Sequence, residues 1–235
     1  MKKKTNFFML KNNLLLIVIL SMCVYLGNAQ STTYDSSYKG TYYEQKTTLF
    51  RLLPNTKNEV IFLGNSITDI GEWVEIFQNK NVKNRGISSD NTFGVLARLD
   101  EVLESKPAKV FIMIGINDIA RNIPDSIILG NYKKIIQTIR TQSSKTTLIV
   151  QSILPTNNSF TQFKNHQNKT QHIEFVNAEL AKICASENIT FLNLYPLFLD
   201  EQKRLKAEFT NDGLHLNGYG YMHWKNILIE NKLMK

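Results

Sequence analysis

Short apolar runs alternate along the chain with longer stretches whose apolar residues recur every three or four positions. The runs are Val60-Ile61-Phe62-Leu63, Val110-Phe111-Ile112-Met113-Ile114, Leu148-Ile149-Val150 and Ile189-Thr190-Phe191-Leu192, with a weaker one at Val82-Lys83-Asn84-Arg85. Between them lie the sets Trp73, Val74, Ile76, Phe77; Val95, Leu96, Leu99, Val102, Leu103; Tyr132, Ile135, Ile136, Ile139; and Ile173, Val176, Leu180, Ile183. The short runs read as strands, and the three-and-four spacing places the other sets on single helix faces. A further helix is expected over residues 42–53, stopped by Pro54, and a last one from residue 217 towards the end. Strands alternating with helices imply right-handed crossovers and a parallel sheet covered on both sides. Near-continuous apolar strands suit that burial on two faces. The pattern therefore predicts an α/β three-layer sandwich around a parallel sheet of roughly five strands. Residues 155–169, polar and rich in Asn, Gln and Thr, read as one long loop.

With 235 residues, 43% of them hydrophobic, the chain can bury one substantial core. Its net charge of +8 is uneven. Lys2, Lys3, Lys4 and Lys11 fall in residues 1–29, which hold no acid. Elsewhere basic and acidic residues are interleaved, which describes a solvated surface rather than a nucleic-acid-binding face. The basic start, the apolar stretch at residues 14–26 and the small residues Gly27-Asn28-Ala29 follow the order of a signal peptide. That apolar stretch is shorter than the ~20 residues a bilayer span needs. The expected organisation is a signal peptide at 1–29 cleaved near Ala29, an extension at 30–57 with a mobile leader and a short helix, and a main domain at 58–235. The product would be exported, periplasmic or secreted, with no stable membrane span. Cleavage removes Cys23 and leaves Cys184, so no internal disulfide is expected and a buried thiol is the natural role for Cys184. His166, His172, His215 and His223 show no metal-ligand spacing, and neither a metal nor a cofactor is expected.

In an open parallel sheet, ligands gather beyond the carboxyl ends of the strands. The residues that follow the runs are Gly64-Asn65-Ser66-Ile67-Thr68-Asp69, Arg85-Gly86, and Gly115-Ile116-Asn117-Asp118; near the end stands Asn211-Asp212-Gly213-Leu214-His215. Each has an ordinary structural reading as a helix cap, a turn glycine or a turn. Together they supply the parts of one reaction. A serine hydroxyl attacks only when a base takes its proton, and an imidazole oriented by a carboxylate is such a base. Asp212 and His215, three apart, can meet within one turn. Ser66 N–H, Gly86 N–H and the Asn117 amide are candidate donors for an oxyanion.

These blocks, in this order, resemble those of the SGNH or GDSL hydrolases. Gly64-Asn65-Ser66-Ile67-Thr68 is similar to the first block, with Asn65 where Asp is usual. Arg85-Gly86 resembles the glycine block, Gly115-Ile116-Asn117-Asp118 the G-x-N-D block with Ile116 where Thr is common, and Asp212-Gly213-Leu214-His215 the terminal D-x-x-H block. The resemblance implies a flavodoxin-like sheet and esterase activity. Ser66 would be the nucleophile, Asp212 and His215 its partners, and Ser66, Gly86 and Asn117 the oxyanion hole. Thr68 stands where the G-x-S-x-G elbow of the α/β-hydrolases would carry its second glycine, which sets that fold aside. The stretch 84–99, with Ser88-Ser89-Asp90-Asn91-Thr92 and Arg98-Leu99, is similar to the acetylhydrolase branch, which implies short acyl groups, favoured on carbohydrates. The polar loop at 155–169 suits a glycan ester or another small ester. The alternatives are a lysophospholipase or thioesterase on the same scaffold, and a carbohydrate-binding protein without turnover. Trp73 at helical spacing from Phe77 is expected in the core.

Overall fold

The structure is a computed structural model that describes residues 34–235; the segment read as a signal peptide, with Cys23, lies outside the described residues. Chain order is α1 (Thr41–Leu52), β1 (Val60–Gly64), α2 (Ser66–Asp69), α3 (Trp73–Phe77), β2 (Val82–Gly86), α4 (Thr92–Ala97) and α5 (Leu99–Leu103). There follow β3 (Lys109–Met113), α6 (Ile116–Ala120), α7 (Asp125–Gln142), β4 (Thr147–Gln151), α8 (Thr170–Ser186), β5 (Thr190–Leu192) and α9 (Gly218–Glu230). The strands form one five-stranded sheet in the order β2-β1-β3-β4-β5. Every pairing in it is parallel.

The order reverses at β1, which has β2 on one side and β3 on the other. Gly64, the last residue of β1, pairs with Gly86 and with Met113. Three strands thus end level with one another, and the segments after them emerge side by side at the switch point where α/β sheets bind ligands. This register is the first step in gathering the site.

The core follows the predicted faces. Phe62 stacks on Phe111 and on Trp73, with ring centroids 4.9 and 4.1 Å apart, and Trp224 meets Trp73 edge-on at 4.9 Å. Trp73 is buried, as its spacing implied, and so is Cys184, whose thiol is pushed up to about 11 by burial. Among the described residues no helix is long and apolar enough to cross a membrane.

Two expectations need correction. The helix expected through Val95 and Leu103 is two helices, broken at Arg98 with φ −124° and ψ 13°. The break lets the buried Arg98 guanidinium reach Asp90 at 2.9 Å and donate to the carbonyls of Gly64 at 3.2 Å and Arg85 at 3.0 Å. One side chain thereby ties the ends of β1 and β2 together. Residues 34–40, expected as part of a mobile leader, are held against the domain. Tyr34 packs on the core, and Ser37 O accepts from Asn91 Nδ2 at 3.0 Å and from Arg121.

Candidate active site

Ser66 is the first residue of α2. Its neighbour Asn65 caps this short helix, with Oδ1 accepting from Ile67 N at 3.0 Å. An aspartate could accept the same bond, so Asn65 keeps the cap while removing a charge. A four-residue helix has little stability of its own. Its carbonyls are therefore clamped from outside. Asn84 Nδ2 donates to the carbonyls of Thr68, Asp69 and Gly71 at 2.9–3.0 Å. Trp73 Nε1 donates to Thr68 O and Tyr221 OH to Ile67 O, both at 2.8 Å. The hydroxyl of Ser66 is thus presented by a backbone fixed to the aromatic core.

His215 arrives on a loop closed by the antiparallel bridge Thr210↔Leu216. Ser66 Oγ lies 2.9 Å from His215 Nε2, and His215 Nδ1 lies 2.7 Å from Asp212 Oδ2. A carboxylate only accepts, so the proton of neutral His215 sits on Nδ1 and Nε2 is left to accept from the serine hydroxyl. The other Asp212 oxygen, Oδ1, accepts from the amides of Leu214 and His215, each at 2.8 Å. Partial burial raises the Asp212 carboxyl, but the bonds from His215 and the two amides outweigh it and hold the group below its ordinary range. Gly213 permits the turn. It has φ +84°, and a Cβ there would lie 2.5 Å from Asn157 O.

A cavity of about 270 Å³ opens over this array, lined by Ser66, Ile70, Ser88, Ser89, Asn117, Phe163, His166, Leu214 and His215. Ser66 N–H, at the helix start, has no acceptor among the described residues, and Asn117 Nδ2 spends one hydrogen on Asp90 O at 2.8 Å and keeps the other.

Gly86 is placed differently from expectation. Its N–H donates to Asn84 Oδ1 at 2.8 Å, and it is absent from the cavity lining. A Cβ on Gly86 would lie 2.1 Å from Asp69 N and 2.5 Å from Asp69 Cα. Gly86 is a glycine so that β2 can touch α2, and its amide is already used. A backbone donor beside the cavity that is not used in this way is that of Ser89. Ser89 lines the cavity, has φ 69° in a turn closed by Asp90 N–H on Ile87 O at 3.1 Å, and its own N–H has no acceptor among the described residues. The sequence signal was present in Ser88-Ser89-Asp90, but a non-glycine residue in a left-handed conformation hides it.

Three more features escaped the sequence. Asp69 Oδ2 accepts from Ser88 N at 3.1 Å and Ser88 Oγ at 2.8 Å, so the residue three after Ser66 holds Ser88, which lines the cavity. Asp118, after Asn117, is fully buried and accepts from Thr92 Oγ1 at 2.5 Å; burial pushes its carboxyl up to about 6 against the lowering bonds from Thr92. The polar segment 155–169 is folded onto the site. Asn157 N donates to Gly213 O at 2.8 Å and Asn157 Nδ2 to Leu205 O at 2.7 Å. At its tip Phe163 meets His215 edge-on at 4.8 Å, and His166 Nε2 lies 2.9 Å from Asn117 Oδ1.

A helix-sandwiched parallel sheet with a hydroxyl–imidazole–carboxylate array at its switch point belongs to a recognisable class of ester hydrolases. Residues 62–223 match the GDSL-like lipase/acylhydrolase family, and the chain is a member of that family, a hydrolase acting on ester bonds. It is similar to the platelet-activating factor acetylhydrolase IB subunit alpha2 of Rattus norvegicus, 25% identical over 169 residues, which cover 69% of this chain and 71% of the relative. Among solved structures, a platelet activating factor protein from Streptococcus pneumoniae superposes with a TM-score of 0.75 at 27% identity, covering 81% of this chain and 92% of that one. A catalytic mutant of an acetylxylan esterase from Geobacillus stearothermophilus shares the fold, with a TM-score of 0.62 at 18% identity over 77% of this chain and 97% of that one.

Proposed function

We propose that the protein is a serine esterase that removes short acyl groups, acetyl above all, from an O-acylated carbohydrate or similar small substrate. The observation that carries this reading is the continuous array Ser66 Oγ–His215 Nε2 at 2.9 Å and His215 Nδ1–Asp212 Oδ2 at 2.7 Å. Ser66 Oγ attacks the ester carbonyl while His215 Nε2 takes its proton. The N–H groups of Ser66 and Ser89 and the free hydrogen of Asn117 Nδ2 receive the oxyanion, each such donor being worth ~3 kcal/mol of barrier. His215 then protonates the departing alcohol, and the acyl-enzyme is cleaved by a water activated at the same nitrogen.

Phe163, edge-on to the His215 imidazole at 4.8 Å, narrows the cavity beside the reacting groups and favours a short acyl group. The similarity to acetylhydrolases points the same way. One observation favours a longer chain: Ile70 also lines a groove of about 490 Å³ with Ile76, Tyr221 and Met222. That groove is where a lysophospholipase or thioesterase would lay an acyl tail. The amino-terminal pattern of residues 1–29 adds export to the proposal, which mass measurement of the mature chain from the producing cell would test.

The test is hydrolysis of 4-nitrophenyl acetate, 4-nitrophenyl octanoate and acetylated xylan by the wild type and by Ser66→Ala. The variant should lose at least ~10⁴-fold in kcat with unchanged thermal stability. Undiminished turnover refutes the nucleophile. A preference for octanoate over acetate refutes the short-acyl reading.

A further inference from the structure

Asn117 is useful as an oxyanion donor only if its amide is held the right way round, because a flipped amide would present an oxygen to a developing negative charge. Two contacts settle its orientation. Asp90 O is a carbonyl and can only accept, so the Asn117 atom 2.8 Å away is the NH₂. The amide oxygen must then face the opposite direction, where it meets His166 Nε2 at 2.9 Å. An amide oxygen only accepts, so His166 carries its proton on Nε2 and donates.

His166 is set up for this one bond. Its Nδ1 is buried with no partner among the described residues. Leaving an imidazole nitrogen unsatisfied is costly, of order 1–3 kcal/mol, so the orientation is not chosen to satisfy the ring. The ring is placed by its backbone. His166 N donates to Phe163 O at 2.8 Å, and His166 O accepts from Thr156 Oγ1 at 3.1 Å. Thr156 adjoins Asn157, which is bonded to Gly213 in the loop of Asp212 and His215. Burial, reinforced by the nearby His215, pushes His166 down to about 4, so near neutral pH the ring is uncharged and keeps a lone pair on Nδ1. Among the described residues its one side-chain hydrogen bond is to the Asn117 amide oxygen.

We propose that His166 is a positioning residue: from the 155–169 segment, it donates Nε2–H to Asn117 Oδ1 and thereby aims the Asn117 N–H at the oxyanion. This rests on the esterase reading above, in which Asn117 is a donor. It also gives the segment a role beyond forming a wall of the cavity, since it supplies the outer support of a donor that sits on α6.

The experiment is a double-mutant cycle on 4-nitrophenyl acetate hydrolysis with His166→Leu, which keeps bulk and removes the donor, and Asn117→Ala. Rates are normalised to active sites titrated with a fluorophosphonate serine probe, so a partly folded preparation still reports. His166→Leu should lower kcat about 10- to 100-fold with KM within about twofold, because the loss falls on transition-state charge. In the Asn117→Ala background the same substitution should change kcat less than about twofold. His166→Gln, whose amide can donate to the same oxygen, should recover most of the rate. Full additivity of the two losses, or no recovery with glutamine, overturns the positioning role while leaving the esterase intact. If Asn117→Ala alone costs nothing, the failure lies with Asn117 as a donor, and with it the reading beneath this one.

Discussion

The two halves of the site are built by opposite means. The half bearing Ser66 is continuous with the core: α2 starts where a central strand ends, its carbonyls are clamped by Asn84, Trp73 and Tyr221, and Gly86 presses against its backbone. The half bearing His215 hangs on loops, held by an isolated bridge, by Gly213 in a left-handed turn, and by the bonds of Asn157 and His166. In the first half the packing that stabilises the protein also aims the Ser66 hydroxyl. In the second, side-chain hydrogen bonds aim the His215 imidazole. Damage to the framework that holds α2, as distinct from the Ser66 hydroxyl itself, should therefore appear as lost stability, and damage to the hydrogen bonds around His215 chiefly as lost rate.

The strongest break of that contrast is Gly86→Ala. A Cβ there meets the backbone of Asp69, which cannot turn aside like a flexible side chain. We expect a loss of about 3 kcal/mol or more, read as a fall in the denaturant midpoint, or failure to fold. A Gly86→Ala protein as stable as the wild type would remove the packing role.

A smaller effect of opposite sign is expected at Ser89. A serine at φ 69° is strained where glycine would not be. Ser89→Gly should stabilise the fold by about 0.5–1 kcal/mol and leave kcat within about threefold, since the backbone N–H is retained. A drop in thermal midpoint would show that the serine hydroxyl stabilises more than the conformation costs.

A last test sharpens the comparison through pH. Asp118 sits at about 6 against an ordinary 3.8, so the folded state holds the extra proton and this group's contribution to stability falls as pH rises between those values. His166 sits at about 4 against 6.5, so the unfolded state holds the extra proton and its contribution is lost as pH falls from 6.5 to 4. Relative to wild type, Asp118→Asn should steepen the rise of unfolding free energy with pH over this window, and His166→Gln should flatten it. The half-exposed His166 should show the lesser change, roughly a few tenths of a kcal/mol per pH unit. Parallel curves for all three proteins would mean that neither group carries a shifted proton.

Legibility in the sequence followed the same division. The strands β1, β3 and β4 and the buried Trp73 could be read because periodicity responds to burial over many residues at once. Ser66, Asp212 and His215 were nameable because their chemistry is restricted to few residue types at short spacings. Arg98 was not, since a helix broken to free a guanidinium looks like an unbroken helical pattern. Neither was Ser89, whose role depends on a backbone angle that no side chain announces.

From its residues alone, the chain determined a parallel α/β sheet and the reactive groups gathered at its rim, because patterning and functional-group chemistry are local properties. Tertiary structure decided which amides remain free. Asn84, 16 residues from Thr68, takes the Gly86 N–H and clamps α2, while His166, 49 residues from Asn117, orients its amide. Such pairings depend on strand register and on where one loop comes to rest against another, and no spacing along the chain encodes either.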